Sequence, residues 1–394
     1  MNREENHTRE FLRLSTLLLG STMTVMAGAT ISPALPQIDA VFQATPHAKL
    51  MVKLLLSVHA LFIAISAPFI GLLMDRYGRK PVLIVSVTLY GLAGSSGFFL
   101  DTLYGIIVGR AFLGIAVAGI MSGFTTLIGD YFKGDKLNKV MGLQAAFAGF
   151  GGLIFLSMGG FLADIGWRYP FLIYFFAFLV LPGVVVFLYE PHISKKVKND
   201  SNDKDATTIT PFKLVLSIYG LAFFGMLVFY MVPVQLPFHM KGMGDISNTQ
   251  IGIAIGIMTL IGALSSMQFK RLRTKLSHPQ IYMLFALFMG VGYGLLSLAT
   301  SYWLLLVGLV IAGAGFGLLM PNVNVWLVSF VPASVRGKFV GGLATSFLLG
   351  QFVSPLLMEP LVRTIGVGNS FGLVGGLLIT VAAGFLLYSC RKRI

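Results

Sequence analysis

Four side chains that could carry a proton or hold an ion lie within, or at the ends of, long apolar stretches of this sequence. Arg110 and His59 lie inside such stretches, whereas Asp39 and Glu359 lie near the ends of two others. An arginine at the centre of a membrane helix costs about 2.5–3.5 kcal/mol, so it usually faces a cavity or a partner. Histidine titrates near neutral pH. These residue types indicate proton transfer or ion binding inside a membrane.

Each of these residues also has a purely structural interpretation. Arg110 lies roughly 9 Å below the membrane surface at 1.5 Å per residue, a depth from which its side chain could extend to the interface. His59 could be a neutral packing residue, and Glu359 could pair with Arg363 one helical turn later. Because no Asp or Glu lies in the middle of an apolar stretch, Asp39, His59 and Glu359 are the candidate proton carriers.

The elements that must position these residues are twelve apolar stretches, each long enough to cross a bilayer. Only 11% of the 394 residues are charged, whereas soluble domains have about 25%, and the mean hydropathy is +0.84. A spanning helix needs about 20 apolar residues, so we predict an all-α membrane protein with little soluble structure. The predicted spans, numbered 1 to 12, are residues 14–38, 54–74, 81–100, 104–129, 140–163, 169–189, 214–240, 246–269, 279–299, 302–330, 339–358 and 364–390.

Basic residues indicate how these spans are oriented. Most of the 29 Lys and Arg residues fall in both terminal segments and in the even-to-odd connections, such as those between spans 2 and 3. Short basic loops stay in the cytoplasm, which predicts a multi-pass protein with both termini cytoplasmic. The loops on the other face carry few basic residues: Lys49, Lys53, Arg168, Lys241 and Arg363.

Composition also excludes several classes of partner. The net charge of +14 is explained by short loops that face anionic lipid, so we expect membrane lipid and no nucleic acid as a partner. The single Cys390 excludes an internal disulfide and has no metal-type spacing, and we expect neither a metal nor a cofactor. Residues 11–38 are too long for a signal peptide and lack a convincing cleavage site, so we expect a retained first helix.

The chain reads as two halves joined by a polar segment. We predict an N-terminal six-helix bundle over residues 1–189, a cytoplasmic linker over 190–212 and a C-terminal six-helix bundle over 213–394. Two parallel six-helix repeats are typical of alternating-access transporters that bind substrate near the midplane. An offset of 199 residues aligns four glycines of one half with four of the other: Gly109 with Gly308, Gly114 with Gly313, Gly142 with Gly341, and Gly151 with Gly350.

The turn between spans 2 and 3 carries a motif, which consists of Gly71, Asp75, Arg76, Gly78, Arg79 and Lys80. Gly71 would let two helices approach closely, Gly78 would permit a tight turn, and Asp75 would be favourable near a helix N-terminus. The motif resembles the signature loop of the major facilitator superfamily. The resemblance implies two pseudo-symmetric six-helix bundles and a conformational latch, in which Asp75 and Arg79, with Asp130 of span 4, close the cytoplasmic side. The alternative is a plain positive-inside loop.

Two further motifs resemble the twelve-span drug/proton antiporter branch of this family. Arg110 to Gly114 is similar to its span 4 motif, with Leu113 in place of a usual Gln, and implies a role for Arg110 in proton coupling or substrate recognition. Relatives often carry an Asp in span 1 where this chain has Ala29. Span 5 has the helix-packing glycines of the antiporter motif, although Phe155 and Leu156 replace its Gly-Pro: Gly142, Gly151, Gly159 and Gly160.

The family also suggests which polar residues line a cavity. Spans 1, 4, 7 and 10 line it in relatives, which favours as substrate contacts Thr24, Tyr219, Tyr230, Asn322 and Asn324. Gln351 of span 11 is a further polar candidate. The alternative for each is an interhelical hydrogen bond.

The resemblance implies proton-coupled export of small amphipathic compounds (a drug, metabolite or siderophore) by a monomer in the bacterial inner membrane. The alternative is a proton-coupled symporter or a uniporter of an anionic metabolite, favoured by the missing Gly-Pro and by an Arg110 without an acidic neighbour. A membrane enzyme or sensor is disfavoured, because the sequence has no catalytic cluster and no soluble effector domain. We therefore predict a transporter and not an enzyme.

Overall fold

The computed structural model describes residues 3–191, 212–332 and 335–391, with side chains for residues 8–191, 212–332 and 335–387. Twelve helical spans cross the molecule, and the described residues contain no strand, which confirms the predicted all-α fold class. The predicted linker, 190–212, lies almost entirely outside the described residues.

Spans 1 to 6 comprise Arg3–Ala29 with Ser32–Ala34 and Leu35–Phe42, Ala48–Tyr77, Arg79–Phe99, Leu103–Tyr131, Gly134–Ile165, and Tyr169–Phe175 with Phe176–Phe187. Spans 7 to 12 comprise Phe212–Gly242, Asn248–Met267 followed by a short helix Phe269–Arg273, His278–Leu298, Tyr302–Val328, Arg336–Ile365, and Val367–Arg391.

The helices pack as two bundles with equivalent neighbours. In the first bundle, span 4 packs on spans 2 and 3, span 1 on span 5, and span 3 on span 6. The second bundle repeats this arrangement, with span 10 on spans 8 and 9, span 7 on span 11, and span 9 on span 12. The bundles meet along spans 5 and 8 and along spans 2 and 11, two seams that exchange under the same pseudo-symmetry.

Several helices extend beyond their predicted ends, and the extensions matter for the site. Span 2 begins at Ala48 and span 11 continues to Ile365, so Lys53, Glu359 and Arg363 lie within helices and not in loops. The prediction placed the start of span 2 and the end of span 11 at the first charge. A charged side chain that finds a partner does not end a helix, and this is why those boundaries were wrong.

Span 1 is interrupted near its end. Its helix stops at Ala29, a 3-10 turn covers Ser32–Ala34, and a short helix runs over Leu35–Phe42. Pro33 lacks an N–H group and its ring would clash with the carbonyl four residues earlier, so a continuous helix is disfavoured. The last carbonyls of the first helix therefore lack backbone partners and must be satisfied by other groups.

Candidate functional site

A cavity of about 520 Å³ lies between the two bundles, at the middle of the spans. Spans 1, 2, 4, 5, 7, 8, 10 and 11 contribute to its wall. Four of the predicted contacts do line it, Thr24, Tyr230, Asn324 and Gln351, as does the predicted carrier His59. The polar side chains in the wall are Thr24, His59, Tyr230, Thr259, Asn324 and Gln351.

The wall is otherwise apolar. Among its described residues there is no Asp, Glu, Lys or Arg, and His59 is its one imidazole. Methionine is flexible and polarizable and is common at surfaces that bind many partners, and large aromatic side chains supply apolar contact area. Such a wall suits compounds held by shape and apolar contact. Its large flexible or aromatic residues are Met121, Met226, Phe229, Met320 and Phe347.

The cavity wall is buried at one end and partly exposed at the other. We call the face with the Arg76–Lys80 turn the basic face, and the other the opposite face. At the inner end of the cavity, which is the end nearer the opposite face, His59 and Tyr230 are buried. Met121 and Met320 lie nearer the basic-face ends of spans 4 and 10, and they are 48% and 46% exposed. The described state is therefore open to the basic face and closed toward the opposite face.

A buried ion pair joins the bundles near the opposite face. Lys53 of span 2 donates to Glu359 of span 11, and these residues are only 5% and 3% exposed. Arg363 also donates to Glu359, through Nε at 2.8 Å. The predicted pairing of Glu359 with Arg363 is therefore present, but Lys53 was missed as its buried partner. The available signal was a lysine within the apolar run from Leu50 to Leu56.

Neutral hydrogen bonds form a second connection between the bundles. The Tyr230 hydroxyl lies 2.6 Å from the carbonyl oxygen of Gly28 and 2.5 Å from that of Leu56, and His59 Nε2 lies 3.3 Å from Gln351 Nε2. These contacts link span 7 to spans 1 and 2, and span 11 to span 2. They close the inner end of the cavity.

The interrupted part of span 1 makes a further contact with span 7. The Ser32 hydroxyl donates to the carbonyl oxygen of Pro233. Pro237 has no N–H group, so this carbonyl lacks its helical partner. A side chain from one bundle thus satisfies a carbonyl that a proline of the other bundle leaves free.

Spans 5 and 8 form the closest seam between the bundles. Asp164 accepts hydrogen bonds from the backbone N–H groups of Asn248 at 2.7 Å and Thr249 at 2.9 Å, so it caps the start of span 8. A side chain at Gly160 would overlap the Asn248 carbonyl, and one at Gly252 would overlap the Leu156 carbonyl. Glycine is therefore needed here for the close approach of two backbones.

The four predicted packing glycines of span 5 do not all pack. Gly151 faces the Thr22 side chain, Gly159 faces the Thr30 carbonyl, and Gly160 lies in the seam with span 8. Gly142, however, has nothing within 4 Å of where a Cβ would lie. Gly142 lies nearer the basic face, where the bundles are apart. The prediction that it packs against another helix is therefore wrong for this state.

Arg110 lies behind the cavity wall and not in it. Its Nε donates to the Leu55 carbonyl at 2.9 Å, Nη2 to the Ala27 carbonyl at 2.7 Å, and Nη1 to the Tyr174 hydroxyl at 2.6 Å. With only 1% exposure, it does not extend to the interface, so that structural alternative is wrong. Its donors are directed to protein groups, and it does not contact the cavity in this state.

Three other candidates lie away from the cavity. Asn322 is fully buried and exchanges hydrogen bonds with His278, at 2.9 Å between Oδ1 and Nδ1 and 3.0 Å from Nδ2 to the carbonyl. Tyr219 donates to the Phe339 carbonyl at 2.7 Å near the basic face. Both make the interhelical hydrogen bonds weighed as their alternative. Asp39 lines a separate pocket of about 640 Å³ at the opposite face, which Arg363 also lines.

The predicted latch is not engaged between the bundles in this state. Asp75 is exposed and makes no hydrogen bond or ion pair with any described residue. Gly71 has nothing within 4 Å of a Cβ position, so the expected close helix approach there is absent. Arg76 lies over the neighbouring Tyr77 ring at 5.3 Å. These observations follow from the separation of the bundles at the basic face.

The remaining latch residues contact groups within the first bundle. Arg79 forms an ion pair with Asp130, and the N–H groups of Arg79 and Lys80 each donate to Glu190 at 2.8 Å. Gly78 has φ of 94°, which glycine adopts readily. Glu190, predicted as the first linker residue, thus caps the start of span 3, and its role was missed because nothing in the sequence spacing links it to the turn.

Comparisons with known proteins identify the family. A model of the Major Facilitator Superfamily matches residues 17–245 and 218–393. The chain is 24% identical over 335 residues to an uncharacterized MFS-type transporter of Methanocaldococcus jannaschii, covering 81% of this chain and 83% of that protein. It is 26% identical over 317 residues to the quinolone resistance protein NorA of Staphylococcus aureus (strain MRSA252), covering 77% and 79%. A crystal structure of a D-xylose-proton symporter has a similar fold, with a TM-score of 0.80 at 18% identity, covering 95% and 97%.

Proposed function

The chain belongs to the Major Facilitator Superfamily, and we propose that it exports small amphipathic compounds in exchange for protons across a bacterial inner membrane. The observation that carries this proposal is the cavity, whose described wall residues include several Met and Phe and no Asp, Glu, Lys or Arg, and are most exposed toward the basic face. The basic face would lie in the cytoplasm, so the described state would receive its substrate from inside the cell. The resistance named in the NorA relative supports export.

Transport would proceed by alternating opening of the two faces. The contacts that close the opposite face, including the Lys53–Glu359 pair and the Tyr230 hydroxyl bonds, would break as the bundles rock. The basic-face ends would then meet, where Asp75 and Gly71 are now free of contacts with the other bundle. The compound would leave from the same central cavity on the other side.

We propose that His59 couples this motion to a proton. Its ring lines the inner end of the cavity and touches Gln351 of the other bundle. In the described state a proton could reach or leave it through the basic-face opening. When the opposite face opens, the same ring would be reached from there. Asp39 and Glu359 are the alternative carriers, and both lie nearer the opposite face.

The symport or uniport of an anionic metabolite is less well supported. That function would need a cationic side chain in the cavity wall, and the described lining residues include no Lys or Arg. Arg110, the expected anion ligand, is directed to Leu55, Ala27 and Tyr174. The structural similarity to a D-xylose-proton symporter concerns the fold alone.

The proposed export can be tested in an efflux-deficient bacterium that expresses this chain. We expect protection against some lipophilic toxic compounds and none against small anions. Uptake of the protective compound into inside-out vesicles should then require a proton gradient. Protection without a pH-dependent flux would rule out coupling, whereas accumulation of the compounds inside intact cells would rule out export.

Replacing His59 with glutamine should uncouple transport from the pH gradient. Glutamine can still hydrogen-bond to Gln351 but cannot titrate. A gradient of one pH unit supplies about 1.4 kcal/mol per proton, which can drive a tenfold accumulation of substrate. The variant should lose this accumulation. It should still exchange labelled substrate when no pH gradient is present. The matched control is His239→Gln, because His239 bonds to the Leu296 carbonyl outside the cavity. If His59→Gln keeps the parent's pH dependence, the carrier is Asp39 or Glu359.

Replacing Asp75 with asparagine should slow cycling with little change in apparent substrate affinity. Asp75 has no hydrogen-bond or ion-pair partner among the described residues, so its contribution would come when the basic face closes against the start of span 11. A charge near a helix N-terminus contributes about 0.3–1 kcal/mol, and up to about 2 kcal/mol when partly buried, so we expect a slowing of about two- to tenfold. Asp245→Asn, an exposed aspartate at the opposite face, is the control. An unchanged turnover rate in vesicles would disprove the latch.

A further inference from the structure

The interrupted end of span 1 presents carbonyl oxygens to the interior of the protein. Because its helix stops at Ala29, the last carbonyls have no backbone N–H partner. Side chains satisfy three in succession: Thr30 Oγ1 donates to Met26 at 2.5 Å, Arg110 Nη2 to Ala27 at 2.7 Å, and Tyr230 to Gly28 at 2.6 Å. Arg110 and Tyr230 therefore bind neighbouring carbonyls of one helix end.

The same two side chains bind neighbouring carbonyls of span 2. Arg110 Nε donates to Leu55 at 2.9 Å, and the Tyr230 hydroxyl lies 2.5 Å from the Leu56 oxygen. A carbonyl oxygen has two lone pairs, so it can accept a side-chain donor besides its helical one, and the single hydroxyl hydrogen of Tyr230 is shared between two acceptors. Arg110 comes from the first bundle and Tyr230 from the second.

This arrangement also explains how the buried positive charge of Arg110 is stabilised. Among the described residues no carboxylate bonds to it. A helix C-terminus carries about half a negative charge, which favours a nearby cation. The end of the span 1 helix, together with the Tyr174 hydroxyl and ring, therefore replaces an acidic partner.

We propose that Arg110 is a positioning residue for closure of the opposite face. It holds the end of span 1 against span 2, so that the Gly28 and Leu56 carbonyls form one acceptor site for the Tyr230 hydroxyl of the other bundle. The proposal rests on the proposed alternating opening of the cavity, and is independent of the substrate and of the proton carrier.

The test measures how often the opposite face opens. Ser32 is fully buried at the contact between spans 1 and 7, so a cysteine there reports opening. In a Cys390→Ser, Ser32→Cys background, purified protein is labelled with a polar maleimide. Tyr230→Phe removes only the hydroxyl, and we expect about tenfold faster labelling, as for loss of a buried hydrogen bond. Tyr293→Phe, whose hydroxyl bonds at 2.6 Å to Val228 within the second bundle, should label within about twofold of the background.

The action of Arg110 through this site is tested by non-additivity. Tyr174→Phe removes one hydrogen-bond acceptor of Arg110 and leaves its charge in place. Arg110→Lys keeps the charge but lacks the planar set of donors. Each should speed labelling severalfold, and each combined with Tyr230→Phe should add little, because residues that act through one site are coupled. In vesicles, turnover of the Tyr174→Phe and Arg110→Lys variants should fall with unchanged apparent affinity, because neither residue lines the cavity. Additive effects, or a Tyr230→Phe variant that labels like Tyr293→Phe, would overturn the proposal even if export is confirmed. Tyr174→Phe keeps the test valid if Arg110→Lys fails to fold.

Discussion

Replacement of Glu359 by glutamine is expected to leave the opposite face open most of the time. The change removes the carboxylate from Lys53, which is 95% buried in the described state and would regain water when that face opens. Removal of one partner of a buried ion pair costs about 3–5 kcal/mol, so the equilibrium should shift by roughly 10²–10⁴-fold toward the open state. Labelling of the Ser32→Cys probe should accelerate accordingly, and transport should fall below about a tenth of the parent rate.

Two variants make this result specific. Asp101→Asn removes an ion pair with Arg168 at the same face, but Asp101 is exposed and both residues belong to the first bundle, so we expect little change because exposed pairs contribute about 0–1 kcal/mol. A double variant, Lys53→Met with Glu359→Met, removes both buried charges and should restore slow labelling. If Glu359→Gln labels as slowly as the parent, the pair does not hold the face closed.

Replacement of Gly252 by valine should prevent closure of the opposite face, because it acts on the seam between spans 5 and 8. A Cβ there would overlap the Leu156 carbonyl oxygen and lie 3.3 Å from Gly160 Cα. Because both obstacles are backbone atoms, only separation of spans 5 and 8 can relieve the overlap. Overpacking of this kind costs about 1–3 kcal/mol or more, which corresponds to roughly a five- to 150-fold shift. We expect rapid labelling of Ser32→Cys and transport reduced by at least about tenfold.

Gly294→Val is the matched control, since a Cβ there would meet nothing within 4 Å. It should leave both the labelling rate and transport close to parent values. Gly252→Ala is the smaller step and should give an intermediate labelling rate. Normal transport by a folded Gly252→Val variant would mean that spans 5 and 8 need not touch at any stage of the cycle.

The number of spans and their pairing into two bundles were predictable because hydrophobic length and basic loops depend on local sequence. The ends of spans 2 and 11 were not. Whether Lys53 ends a helix or lies inside one depends on Glu359, about 300 positions away, and no local pattern carries that information. Glu190 was missed for the same reason, since its partners Arg79 and Lys80 belong to a distant turn.

The roles of the polar candidates were predictable only in part. Thr24, Tyr230, Asn324 and Gln351 line the cavity as expected, whereas Asn322, two residues from Asn324, turns toward span 9. Helix rotation separates such neighbours by about 200°, and side-chain spacing alone does not set that rotation. The partners of Arg110 were likewise not predictable, because they are two backbone carbonyls and the Tyr174 hydroxyl, which come from three different spans.

The uncharged wall of the cavity has an electrical consequence. Because its described side chains hold no fixed charge that a cargo must match, neutral and cationic compounds could both enter, and the net charge moved per cycle is that of the cargo and the exchanged proton. If His59 carries one proton inward for each neutral molecule exported, one positive charge enters, and a membrane potential of 100 mV adds about 2.3 kcal/mol to the driving force. For a monovalent cation the same exchange moves no net charge, and voltage contributes nothing. One transporter would thus be electrogenic for neutral compounds and electroneutral for cationic ones.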